Sequence, residues 1–336
     1  MRTRVFLTID TEFSIGGAFA DPIRKTPIGA QNVLCEAAGR SEGLGFMLET
    51  LKVHQVRATF FTEVLQTSYF GDEPMGALAR RIAAEGHDLQ LHLHPVWTYF
   101  DHDNWRQHLA REQPADNMHG RSIEQLALWM QRGIETFARW GLRAPIALRT
   151  GNLMVDRNVY RAMAQVGLEV ASNISRAVFQ PEEPALQFNA GIRRIEGVTE
   201  LPVLTYAGLR LGRRSEQKAL TITGSSTAET ICLLQLAHAA GCPAVVVLTH
   251  CHEFVKGDMR GALRPNRLNQ ARLAALCNFL RSADDRFEVA TMDGVLAAGE
   301  LKALDFATDT DPLLAVPARM AIARMLQNRL SDRSVN

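Results

Sequence analysis

Four apolar segments, far apart in the chain, each run out into side chains that can bind metals or carry protons. They are Leu7-Thr8-Ile9-Asp10-Thr11-Glu12, Leu89-Gln90-Leu91-His92-Leu93-His94-Pro95, Leu148-Arg149-Thr150-Gly151-Asn152 and Val247-Leu248-Thr249-His250-Cys251-His252. Short runs of this kind read as strands. Val245-Val246-Val247-Leu248 is apolar at every position, so it has no solvent face and needs cover on both sides, as in a parallel sheet flanked by helices. Barrels and open α/β sheets build their sites where strands end at their C-termini. That is where all four segments place their polar groups.

The rest of the chain supports this class. Strands are predicted over 5–10, 57–62, 88–92, 146–150, 169–172, 244–250 and 287–291. Between them lie helical patterns at 75–85, 122–140, 156–165, 227–240 and 265–282. Several carry end signals: Ser122-x-x-Gln125 as a capping-box pattern, and Gly86, Gly141, Gly167 and Gly241 as C-terminal stops. Strand–helix alternation repeated about seven times implies a parallel (β/α) barrel or a doubly wound sheet. Three stretches interrupt it: a polar insertion at about 97–121, a proline-bearing one at about 179–226, and a C-terminal tail with an amphipathic helix at 312–330. The expected organisation is one catalytic domain over 1–300 with these two insertions, followed by a helical extension over 301–336.

Three of the four segments present functional groups at i and i+2: Asp10/Glu12, His92/His94 and His250/His252. On extended backbone those positions project to the same side. Two imidazoles and a carboxylate suit a divalent ion, zinc above all, with positions left for water and substrate. A second carboxylate can then serve as a base and a further histidine as an acid.

Composition narrows the partners. With 37 basic and 36 acidic residues the formal net charge is +1, so a polyanion such as nucleic acid is not an expected partner. No apolar run approaches the ~18 residues of a membrane span. The run Val5-Phe6-Leu7-Thr8-Ile9 is too short for a signal peptide. Cys35, Cys232, Cys242, Cys251 and Cys277 form no CxxC pair, which fits reduced thiols. The expected setting is cytoplasmic, with a small-molecule or glycan substrate. Oligomeric state is left open.

In order along the chain, Thr8-Ile9-Asp10-Thr11-Glu12, Ala58-Thr59-Phe60-Phe61, Gly86-His87-Asp88-Leu89-Gln90-Leu91-His92, Leu148-Arg149-Thr150-Gly151 and Leu248-Thr249-His250 resemble the motifs of the polysaccharide-deacetylase (NodB-homology) superfamily. The resemblance runs from about Arg4 to Met292. It implies a distorted (β/α) barrel with fewer than eight regular strands, and metal-dependent removal of an N-acetyl group from a sugar. It assigns Asp10 as base, Glu12 and His92 as metal ligands, Arg149 as the residue that orients Asp10, and His250 as general acid. Surface-polysaccharide biosynthesis in a bacterium is the expected context. Hydrolysis of a small non-sugar amide or cyclic ureide, and a non-catalytic carbohydrate-binding protein, are the alternatives.

Two departures from the family pattern bear on the site. Asp-Thr-Glu stands where adjacent aspartates are commoner. Val96 stands where the second histidine of His-x-x-x-His would fall. His94 is therefore expected to be the third ligand, with His252 or a water as the alternative. Cys251 is expected to be a small buried residue rather than a nucleophile. Trp97, Tyr99 and Trp105 could stack on a sugar ring or pin the insertion to the barrel.

Overall fold

A computed structural model of the protein describes residues 2–111, 115–211, 214–297 and 313–333. Its frame is one sheet of nine strands: β1 (Thr3–Thr11), β2 (Thr59–Glu63), β3 (Asp88–Leu93), β4 (Ala147–Thr150), β5 (Val170–Ala171), β6 (Arg193–Ile195), β7 (Val198–Glu200), β8 (Ala244–His250) and β9 (Phe287–Ala290). The spatial order is β8-β1-β2-β3-β4-β5-β7-β6, with β9 beside the first half of β1. All pairings are parallel except the antiparallel β6–β7 edge. Seven of these strands are the predicted ones; β6 and β7 come from the second insertion.

The sheet curls until its ends nearly meet. Past β7 the chain donates from Val203 N to Ile174 O (2.8 Å) and from Leu204 N to Val246 O (3.3 Å). The returning chain then pairs Leu220 and Ile222 with Leu248 of β8. Irregular backbone thus bridges the gap where a regular barrel would carry another strand. This is the distorted (β/α) barrel that the resemblance implies, and it decides between the barrel and the doubly wound sheet that the alternation leaves open.

Strand alternation sorts two apolar layers. Val5, Leu7 and Ile9 of β1 join Phe60, Leu91, Leu148, Val245 and Val247 under the surrounding helices. Phe6 joins Phe61, Ala147, Val170, Val203, Val246 and Leu248 in a smaller interior cluster. Thr8 and Asp10 share the phase of Phe6, so β1 turns polar toward the interior as it approaches its C-terminal end.

The helices follow their end signals. Ser122 caps Ile123–Arg139 by accepting from Gln125 N, and Asp156 caps Arg157–Val166 by accepting from Asn158 N and Val159 N. The second ends at Gly167 in the left-handed region (φ 82°). Ser226 and Glu229 form a reciprocal capping box on Thr227–Ala239. Each such cap contributes about 1 kcal/mol. Leu44–Val53 was not expected from sequence; it starts at Gly43 with no capping side chain.

The first insertion holds a 3-10 helix, Pro95–Asp101, and a short α-helix, Trp105–Arg111. Trp97 and Trp105 are buried, packed in an aromatic cluster with Tyr69, Phe70 and Phe100. They pin the insertion to the barrel and present no stacking face to solvent. At the other end of the chain, the helix Ala318–Arg333 is preceded by a strand-like contact: Ala207 N donates to Leu314 O at 2.7 Å. Arg324 reaches the buried Glu229 at 3.2 Å. The expected domain boundary at 300/301, and the first residue of the helix expected at 312, lie outside the described residues.

Candidate metal centre and active site

Strand register assembles the site. β8 and β1 pair His250 with Asp10, and β3 and β4 pair His92 with Arg149. Asp10, Glu12, His92, His94, Arg149 and His250 therefore come together at one end of the barrel.

Arg149 is the hub. It is fully buried, and its guanidinium lies 4.3 Å from the centroid of the Phe61 ring. Nη1 donates to Asp10 Oδ1 (2.8 Å) and Thr8 Oγ1 (2.9 Å); Nη2 and Nε donate to Ser172 Oγ (2.8 Å) and Ser172 O (3.1 Å). A buried ion pair satisfied in this way is costly to break, roughly 3–5 kcal/mol if one partner is removed. The pairing commits Asp10 Oδ1. Its Oδ2 instead faces two histidines, His250 Nε2 at 3.8 Å and His92 Nε2 at 4.0 Å.

Glu12, His92 and His94 converge. Glu12 Oε2 lies 2.9 Å from His94 Nε2 and 3.4 Å from His92 Nε2. One ligand atom from each residue falls within 4.8 Å of the others. Both imidazoles aim Nε2 inward because Nδ1 is taken: His92 Nδ1 by Arg149 O (2.9 Å), His94 Nδ1 by Asp116 Oδ2 (2.5 Å). Two oriented imidazoles and a carboxylate are the donor set a divalent ion needs, so the residues fit such an ion. Burial pushes the Glu12 carboxyl up, but His94 and His92 outweigh it and hold it well below the ordinary carboxylate value. Burial pulls His94 down, but Glu12 and Asp116 outweigh it and raise it well above the usual imidazole value. The negative potential that favours a proton on His94 also favours a cation between these groups.

His250 is held from behind. Its Nδ1 lies 3.2 Å from Glu253 Oε1, while Glu253 Oε2 accepts from Thr249 Oγ1 (2.6 Å) and His250 N (3.1 Å). Burial lowers the His250 pKa, but Glu253, with Asp10 and Glu12 behind it, raises it to about 9. The strand ends at His250, and Cys251–Phe254 is a 3-10 helix. His252 is therefore not placed by strand alternation. Its ring sits 5.1 Å from that of His250, and burial with the His250 charge lowers its pKa. Among the described residues the convergent ligand group contains His94 and not His252. Cys251 is buried, and burial pushes its thiol well above the ordinary value, so it is not poised as a nucleophile.

Sequence reasoning missed three supporting residues. Glu253 stands three places after His250, a spacing that one 3-10 turn brings together. Asp116 sits in the polar insertion with no periodic signal around it. Glu63 ends β2 and is fully buried, and burial pushes its carboxyl up to about 8. It accepts from Leu65 N, Gln66 N and His94 N, fixing the backbone at His94.

No protein-family model matches the sequence, and no curated protein matches it. Solved structures do match. One is of a protein named as a polysaccharide deacetylase from Mycobacterium smegmatis: 19% identity over 93% of this chain and 95% of that one, with a TM-score of 0.50. A family 4 carbohydrate esterase from Streptomyces lividans in complex with acetate is 13% identical over 86% and 92%, TM-score 0.42. A family 4 acetyl xylan esterase from Clostridium thermocellum in complex with a cobalt ion is 13% identical over 89% and 93%, TM-score 0.42. The fold assignment rests on the first of these. With its curled, mostly parallel sheet, the chain shares the fold of that Mycobacterium smegmatis structure.

Proposed function

We propose that this chain is a metal-dependent hydrolase that removes an N-acetyl group from a sugar or sugar precursor. One observation carries the reading: Glu12, His92 Nε2 and His94 Nε2 converge beside an aspartate with one oxygen committed to Arg149 and the other facing the site. Glu12, His92 and His94 would hold a divalent ion, zinc on the chemistry of these donors, which when bound would supply Lewis acidity for the carbonyl and for water. Asp10 takes a proton from the attacking water through Oδ2, because Oδ1 is fixed by Arg149. As the carbon–nitrogen bond breaks, His250 gives the proton on Nε2 to the departing amine. Acetate and a free amine are the products. The name of the fold neighbour, a polysaccharide deacetylase, supports a sugar as the carrier of the amide.

A smaller, non-sugar amide or cyclic ureide is the second reading. It is favoured by the burial of Trp97 and Trp105, which leaves them no ring face to stack on a saccharide. Both readings meet one experiment: mass-spectrometric screening of zinc-loaded protein against acetylated nucleotide sugars and cyclic ureides, with elemental analysis of chelator-free protein. About one equivalent of metal and release of acetate from a sugar are expected. Turnover of the ureides alone would transfer the assignment to the second reading, and neither metal nor turnover would overturn both.

A further inference from the structure

His92 and His94 are held in different ways. His92 Nδ1 meets a main-chain carbonyl, which no substitution removes, whereas His94 Nδ1 meets the side chain of Asp116. That carboxylate is fully used: Oδ2 accepts from His94 Nδ1 and from Asn152 Nδ2 (2.9 Å), and Oδ1 accepts from Val96 N (3.1 Å). Against the His94 ring lies Gly151, where a Cβ would come within 2.6 Å of His94 Cε1. No larger residue fits there without moving the ring. The next residue, Asn152, takes the left-handed conformation (φ 55°). The loop after β4 thus supplies both the space beside the ring and a second donor to Asp116.

Asp116 is itself held in place. On one side the buried aromatic cluster of Trp97, Phe100 and Trp105 anchors the insertion. On the other, Met118 is buried and Gly120 N donates to Asp156 Oδ2 at 2.6 Å.

We propose that the first insertion is a working part of the metal centre: it delivers Asp116, which with Asn152 and the Gly151 gap sets the tautomer and orientation of His94 as the third ligand. The inference rests on the metal-binding reading of Glu12, His92 and His94. Asp116 is a positioning residue, acting through His94. The partner on one ring nitrogen fixes which nitrogen is free to ligate, and losing such a partner typically weakens metal binding about 10–100-fold.

The test is Zn²⁺ affinity by chelator competition for the wild type, Asp116→Ala, Asp116→Asn, Gly151→Ala, His94→Ala and the His94→Ala/Asp116→Ala pair. Asp116→Ala is expected to bind Zn²⁺ about 10–100-fold more weakly. Asp116→Asn keeps the shape and guards against a folding failure, and its melting in chelator should match the wild type. Gly151→Ala should weaken binding by displacing the ring. The pair should bind as weakly as His94→Ala alone, since contributions through one shared group are not additive. Wild-type affinity in both Asp116 variants would overturn the inference, as would an Asp116 effect that persists in full without His94. A wild-type chain that binds no Zn²⁺ would instead overturn the metal reading, and this inference with it.

Discussion

His92 and His94, and His250 and His252, share one spacing and both follow an apolar strand, yet the two pairs are built differently. β3 runs on through Leu93, so His92 and His94 stay in strand phase with rings 4.8 Å apart and perpendicular. β8 stops at His250, and the 3-10 turn that follows brings Glu253 to Nδ1 of His250 and takes His252 out of strand phase, its ring tilted 40° to that of His250. Spacing tells which side a residue faces only while the backbone stays extended. Beyond that, the group on Nδ1 decides what Nε2 can do. On the proposed reading His94, between Asp116 and Glu12, serves as a ligand, and His250, between Glu253 and Asp10, keeps and then gives a proton.

The contrast can be broken at several points. The largest effect is expected from His92→Ala, which should remove the bound metal and the activity together; unchanged metal content by elemental analysis would refute the ligand assignment. Asp10→Asn should leave metal content intact while lowering turnover by roughly two to four decades, the usual worth of a general base. His250→Ala should cost roughly two decades and abolish the alkaline limb of the pH profile. The protonated imidazole is the acid form, so wild-type turnover should fall as pH rises through about 9. Removing the Glu253 charge in Glu253→Gln withdraws what holds that value up, so the limb should move to lower pH. A pH–rate profile checks both. His252→Ala should be the mildest, below about tenfold and so short of a general acid's worth. A larger loss for His252→Ala than for His250→Ala would exchange their roles.

The strands and the ligand-type residues were legible because their signals are local. β8 spans the predicted 244–250, and apolar runs ending in polar pairs mark where β1 and β3 open into the site. Asp116 was not legible, because it lies 22 positions after His94 in a polar stretch with no periodic signal. Glu253 could have been found, had the turn after His250 been read as 3-10 and not as continuing strand. For the aromatic residues of the first insertion, sequence leaves two roles open, stacking on a sugar ring or pinning the insertion to the barrel. The buried faces of Trp97 and Trp105 follow from packing against Tyr69 and Phe70, partners about 30 residues away that no periodicity announces.

The five hydrogen-bonding and stacking contacts of Arg149 make it part of the barrel's foundation as well as of the proposed chemistry. Its side chain is 0% exposed and Asp10's only 6%, whereas Glu12, His94 and His250 retain 19%, 14% and 25%. A related chain without the proposed hydrolysis would still be obliged to keep the Asp10–Arg149 pair, since losing either would strand a charge in the interior. Glu12, His94 and His250 are more exposed, so losing one of them costs less. In sorting relatives of this protein into working enzymes and silent ones, the aspartate and arginine are therefore poor witnesses; Glu12, His94 and His250 are the residues to ask.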